Sequence, residues 1–95
     1  MTKSEIEQLL IKIVCGLQDL SGREKVEVTP GTRPIHDLPG FDSLNGVEAT
    51  IEVGDELHLE FDFNNVLVAD EKVLTIEQAA TRLLDCMAKQ STTQD

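Results

Sequence analysis

Few stretches of this 95-residue chain offer reactive chemistry. They are Ser43, within Gly40-Phe41-Asp42-Ser43-Leu44; the histidines His36 and His58; the cysteines Cys15 and Cys86; and the run Asp62-Phe63-Asn64-Asn65. A serine nucleophile needs a base within hydrogen-bond reach and donors for the oxyanion. His58 falls about four turns down the helix that Ser43 would open, roughly 22 Å along the axis, and cannot serve that hydroxyl. His36 sits in a Pro-rich loop, but Gly-x-Ser-x-Gly is absent and no strand precedes the turn. An EF-hand loop starting at Asp62 would need an oxygen ligand and then Gly where Val66 and Leu67 stand, and Glu where Val73 stands. That pattern fails. The two cysteines lie far apart without metal-ligand spacing, and there is no Gly-rich phosphate loop. They read as packing residues, with no metal expected and no catalytic residue.

Ser43 is left. At the start of a helix, unpaired backbone N–H groups and the helix dipole favour negative charge, so a phosphate ester there would sit in a favourable field. The same geometry serves a plain N-cap made by Asp42 or Ser43. The surrounding elements have to decide between a cap and an attachment point.

Ser4 and Glu7 fit a capping box, and Ile6, Leu9, Leu10, Ile13, Val14 and Leu17 recur at helical spacing behind it. This predicts a first helix over residues 4–18, ending at Leu20-Ser21-Gly22. All three prolines fall in residues 19–41, which excludes a continuous helix. Val26, Val28, Ile35, Leu38 and Phe41 are expected to tack this long connection onto the core, and long ordered loops in small domains are often functional. A second amphipathic helix of about four turns starts at Ser43, with Leu44, Val47, Ile51 and Leu57 on its apolar face and Ala49 and Val53 beside it. Gly46 and Gly54 within it each cost roughly 1 kcal/mol against Ala. A short helix is expected near residues 65–70, capped by Asn64 or Asn65. Thr75-Ile76-Glu77-Gln78 is another capping box, opening a last helix to about Lys89 through Ile76, Ala79, Ala80, Leu83, Leu84 and Met87. The polar residues after it should fray. The pattern is all-α: one domain over residues 1–90, a polar tail at 91–95, and no internal repeat.

Composition narrows the function classes. Eighteen acidic residues against eight basic ones give a formal charge of -10. Such a surface repels phosphate backbones, which argues against nucleic acid and for a basic partner surface. Three Phe, with no Tyr or Trp, leave a core of Leu, Ile, Val and Ala. No run approaches a membrane span or a signal peptide, so no membrane insertion is expected. A cytoplasmic protein with reduced thiols is the expectation, with a monomer as the default state.

Leu38-Pro39-Gly40-Phe41-Asp42-Ser43-Leu44, followed by Val47-Glu48 and the acidic amphipathic helix, resembles the acyl carrier protein family. The resemblance covers nearly the whole chain. It implies a four-helix bundle of acyl-carrier type with a long loop between its first two helices and a short third helix. It implies a 4′-phosphopantetheine arm, donated from coenzyme A by a phosphopantetheinyl transferase and joined to Ser43, with Asp42 and Leu44 flanking it. Acyl cargo would ride as a thioester between acyl-transferring or condensing enzymes that present basic surfaces. The chain itself would be a non-catalytic substrate of those enzymes. Asp42, Glu48, Asp55 and Glu56 resemble the family's partner-docking face. Val47, Ile51, Leu57, Phe61, Ile76 and Ala80 would line a shelter for the acyl chain or simply pack the core. Asn45 where Asp is common, Gly46, Gly54, Pro39-Gly40-Phe41 and a longer segment from Phe61 to Leu74 depart from the usual fatty-acid carrier. They point to a freestanding carrier specialised for secondary metabolism or envelope-lipid acylation. A peptidyl or aminoacyl carrier is the alternative with the same arm. An unmodified acidic helical adaptor for a basic protein surface is the alternative of another class.

Overall fold

A computed structural model of the chain describes residues 2–23 and 26–92, with side chains to residue 89. It is mostly helical: α1 (Lys3–Leu20), α2 (Pro34–Asp37), α3 (Ser43–Leu57) and α4 (Ile76–Thr92). A small antiparallel hairpin, β1 (Val68–Ala69) and β2 (Lys72–Val73), precedes α4. Helix α1 packs against both α3 and α4.

Helix α1 begins two residues earlier than its Ser4 box predicts. Thr2 accepts a bond from the Glu5 N–H while the Glu5 carboxylate accepts from the Thr2 N–H. Thr2-x-x-Glu5 is the same motif two places upstream, and adopting it lengthens the helix while satisfying the same number of end groups. The C-terminus falls at the expected place. Gly22, at φ +66, takes the left-handed turn, and the Arg23 N–H closes on the Gln18 carbonyl. Ile6, Leu10, Ile13, Val14 and Leu17 are buried along one stripe, with Leu9 at its margin.

Leu38 and Phe41 enter the core and Val28 and Ile35 pack against it, whereas Val26 stays exposed. The loop also contains α2, with Pro34 at its first position, where the missing N–H costs nothing. Among the described residues the one short helix therefore lies before the Ser43 helix. The short helix expected near residues 65–70 is not formed. There the chain turns through Val66 and Leu67 into the hairpin, whose turn residues Asp70 and Glu71 both have positive φ. Two consecutive left-handed residues are what a type I′ two-residue hairpin turn requires, and β-branched Val68 and Val73 pair one step beyond it. The α4 box forms as read, with Thr75 Oγ1 accepting from Gln78 and Gln78 Oε1 from Thr75. Of the expected tail, residues 91 and 92 extend α4, and 93–95 lie outside the described residues. Among the described residues no helix is long and apolar enough to cross a membrane.

Helix α3 spans the expected residues but is rotated from the expected orientation. Its buried residues are Asn45, Gly46, Ala49, Thr50 and Val53. Leu44 and Ile51, assigned from periodicity to the inward face, are 71% and 61% exposed, while Val47 and Leu57 are half-buried. The cause is the segment at residues 59–67, which crosses α3 too closely for large side chains. A Cβ on Gly54 would meet the Phe61 ring at 3.1 Å, and one on Gly46 would lie 2.5 Å from the Asn65 amide oxygen. The two glycines that weaken an isolated helix are what let this segment dock. Close approach outweighs side-chain volume on that flank.

Candidate functional site: the first turn of α3

Asp42, Ser43 and Leu44 stand exposed together where the loop enters α3. The cap belongs to Asp42. Its carboxylate accepts from the Asn45 N–H at 3.1 Å, and Asn45 Oδ1 accepts from the Asp42 N–H at 3.1 Å. This is a reciprocal box in which Asn45 plays the part usually taken by Glu or Gln. The Gly46 N–H bonds to the Asp42 carbonyl. Among the described residues the Ser43 hydroxyl has no hydrogen-bond partner. The N–H groups of Ser43 and Leu44 are likewise unpaired, leaving two donors and the positive end of the helix dipole beside the free hydroxyl.

Two polar brackets fix this turn, one on each side. On the loop side, Arg23 Nη1 donates to Gln18 Oε1 at 3.0 Å and to Asn45 Oδ1 at 3.1 Å. Gln18 Nε2 donates to the Pro39 carbonyl, and Asn45 Nδ2 to Glu48 Oε1. The Arg23 side chain lies across Gly40, where a φ of +71 would strain any other residue and a Cβ would lie 2.8 Å from Arg23 Nε. On the other side, Asn65 Nδ2 donates to the Ser43 carbonyl at 3.0 Å. Asn65 Oδ1 accepts from the Leu67 N–H at 3.0 Å. Arg82 on α4 donates to the Asn65 and Val68 carbonyls at 2.8 and 2.7 Å while covering the face of Phe63, which stacks on Phe61. Thr50 completes this bracket. Its hydroxyl donates to the Gly46 carbonyl and accepts from the Val66 N–H, each at 2.7 Å.

The expected docking residues Asp42, Glu48, Asp55 and Glu56 are all exposed, but they flank different surfaces. Asp55 borders a groove of about 380 Å³ between α3 and residues 59–64, where Val47, Ile51 and Phe61 also lie. Glu56 borders a smaller groove against α1, beside Leu9, Lys12 and Leu20. Glu48 and Glu52 edge a third hollow with Leu17, Leu20 and Ile51. Of the proposed acyl-shelter residues, Val47, Ile51 and Phe61 therefore share one open groove. Ile76 and Ala80 are fully buried in the core, and Leu57 packs against the core's edge. Burial pushes the Cys15 and Cys86 thiols up, helped by Asp19 beside the first and Asp62 beside the second, so both favour the unreactive thiol.

No sequence signal marks Arg23, Gln18 or Arg82; Asn65 reads only as one of two candidate caps, and Asn45 and Gly46 as departures from a pattern. Gly46, a glycine within a helix, is the visible signal of a close approach, and it does not say which residue approaches. Comparison with protein-family models, curated proteins and solved structures finds no match to this chain.

Proposed function

We propose that the chain is a carrier of the acyl carrier type, in which Ser43 holds a 4′-phosphopantetheine arm and acyl groups ride on its terminal thiol as thioesters. One observation carries the reading: the helix is capped by Asp42, so the Ser43 hydroxyl is exposed and unengaged. A serine needed as a cap would have its oxygen committed to an N–H; this one does not. The surroundings fit a phosphodiester, because two unpaired N–H groups and the dipole end lie beside the hydroxyl. When attached, the arm would supply the thiol that neither half-buried cysteine offers. The residues of the chain would present the serine, hold its turn and meet client enzymes.

Exposed Leu44 and Ile51, set among Asp42, Glu48, Glu52 and Asp55, suit a docking surface for basic enzymes that combines a few apolar contacts with weak charge pairs. Each exposed pair contributes under ~1 kcal/mol, so the set steers encounter without preventing release. The same surface also favours a second reading, an unmodified acidic adaptor. A peptidyl or aminoacyl cargo would use the same arm.

The test is incubation with coenzyme A and a broad phosphopantetheinyl transferase, followed by intact mass and peptide mapping. The carrier reading expects one arm on Ser43 and none on Ser43→Ala. Absence of any mass gain in the wild type leaves the adaptor. Offering acyl and aminoacyl groups to the loaded form then separates the two carriers.

A further inference from the structure

We infer that Asn65 is a positioning residue for modification of Ser43: seated in the Gly46 notch, it holds the serine's turn in the conformation the modifying enzyme binds. The inference rests on the carrier reading and names a residue twenty-two positions away as part of the same site.

Asn65 is buried, and each of its polar side-chain atoms is used. Its amide nitrogen donates to the carbonyl of Ser43 itself, and its amide oxygen accepts from its own segment at Leu67. Gly46 opens the space that lets the amide come so near the helix backbone. The segment is held from behind by Arg82, which is anchored on α4. A chain of direct contacts therefore runs from α4 through Arg82 and Asn65 to the backbone of the serine. The first turn of a helix ordinarily frays, because its end groups lack partners. Here the turn that carries the exposed hydroxyl is tied on its open flank by a tertiary bond. If the enzyme binds the ordered turn, loosening it lowers apparent affinity by the fraction of time the turn is formed, without altering the chemical step.

The test measures KM for the carrier and kcat separately in arm transfer by the broad transferase, well below the melting temperature. Asn65→Asp keeps the shape and the acceptor for Leu67 but loses the donor to Ser43. Asn65→Ser also loses the amide donor to Ser43, adds no charge and keeps a local acceptor in its hydroxyl, though it fills less of the notch. Both should raise KM about five- to ten-fold, the size expected for one hydrogen bond, with kcat within two-fold of wild type. Thr50→Val breaks the neighbouring bond to Val66 on the same segment but spares the bond to Ser43, and should raise KM by less than two-fold. An equal rise in Thr50→Val, or wild-type KM in either Asn65 variant, overturns the inference. If one Asn65 variant fails to fold, the other decides. A wild-type chain that accepts no arm overturns the carrier reading and this inference together.

Discussion

Helices α1 and α3 are similar in length and both amphipathic, yet they are held to the molecule by different means. Helix α1 buries Ile6, Leu10, Ile13, Val14 and Leu17, an aliphatic stripe. Helix α3 buries Asn45, Gly46, Ala49, Thr50 and Val53, of which only Val53 is bulky and apolar. The first is fixed by volume removed from water. The second is fixed by closeness: glycines admit Asn65 and Phe61, Thr50 bonds to Val66 across the gap, and Asn45 bonds to Arg23 on the loop side. The difference shows at the surface. Small and polar groups hold α3, and its larger apolar residues Leu44 and Ile51 stay exposed.

The largest effect should come from exchanging bulk on the two helices. Leu10→Ala, in the α1 stripe, should cost about 3 kcal/mol by cavity formation. Ile51→Ala on α3 should stay within about 0.5 kcal/mol. Denaturant midpoints measure both, and equal losses would erase the distinction.

Next is Gly46→Ala, which helix propensity alone would make stabilising by roughly 1 kcal/mol. The contact with Asn65 reverses the sign: the amide must leave its notch and its bond to Ser43, a net loss of about 2 kcal/mol. A rise in melting temperature would show that closeness does not hold α3.

At the other end of α3, His58 is left-handed at φ 54, and the Leu59 N–H closes on the Gly54 carbonyl. Here a glycine should help: His58→Gly should stabilise by up to about 1 kcal/mol, read as a higher midpoint. Gly46 and His58 thus make opposite tests of glycine within one helix.

The smallest effect belongs to α2, beside α3. Asp37 is held below the usual carboxylate range, first by its hydrogen bond with His36 and then by the Arg33 N–H. A depressed folded value means the contribution is present above the unfolded value of 3.8 and is lost as pH falls through the lower folded value. Asp37→Asn should therefore flatten the stability profile slightly below about pH 4, while leaving pH 7 behaviour nearly unchanged, in acid titrations followed by circular dichroism.

How much was legible in the sequence follows the range of the interactions. The T-x-x-Q box of α4, the end of α1 at Gly22 and the start of α3 at Ser43 were readable, since each needs only residues three or four apart. So was the acidic setting of Ser43. The expected helix near residues 65–70 was not a misjudged propensity alone. Asn64 or Asn65 reads as a local cap, whereas the partners of Asn65 are Ser43 and Leu67, and no local rule links it to Ser43.

By itself, then, the sequence determined which segments coil, where three of their ends fall, and that one serine opens a helix amid carboxylates. Only tertiary structure decided which flank of α3 faces inward, that Asp42 rather than Ser43 caps it, and that Asn65 and Arg82 brace the serine's turn. The reason is geometric. Periodicity states which side chains share a face, but the neighbour that crosses closest selects the face that is buried, and here that neighbour selected the small one.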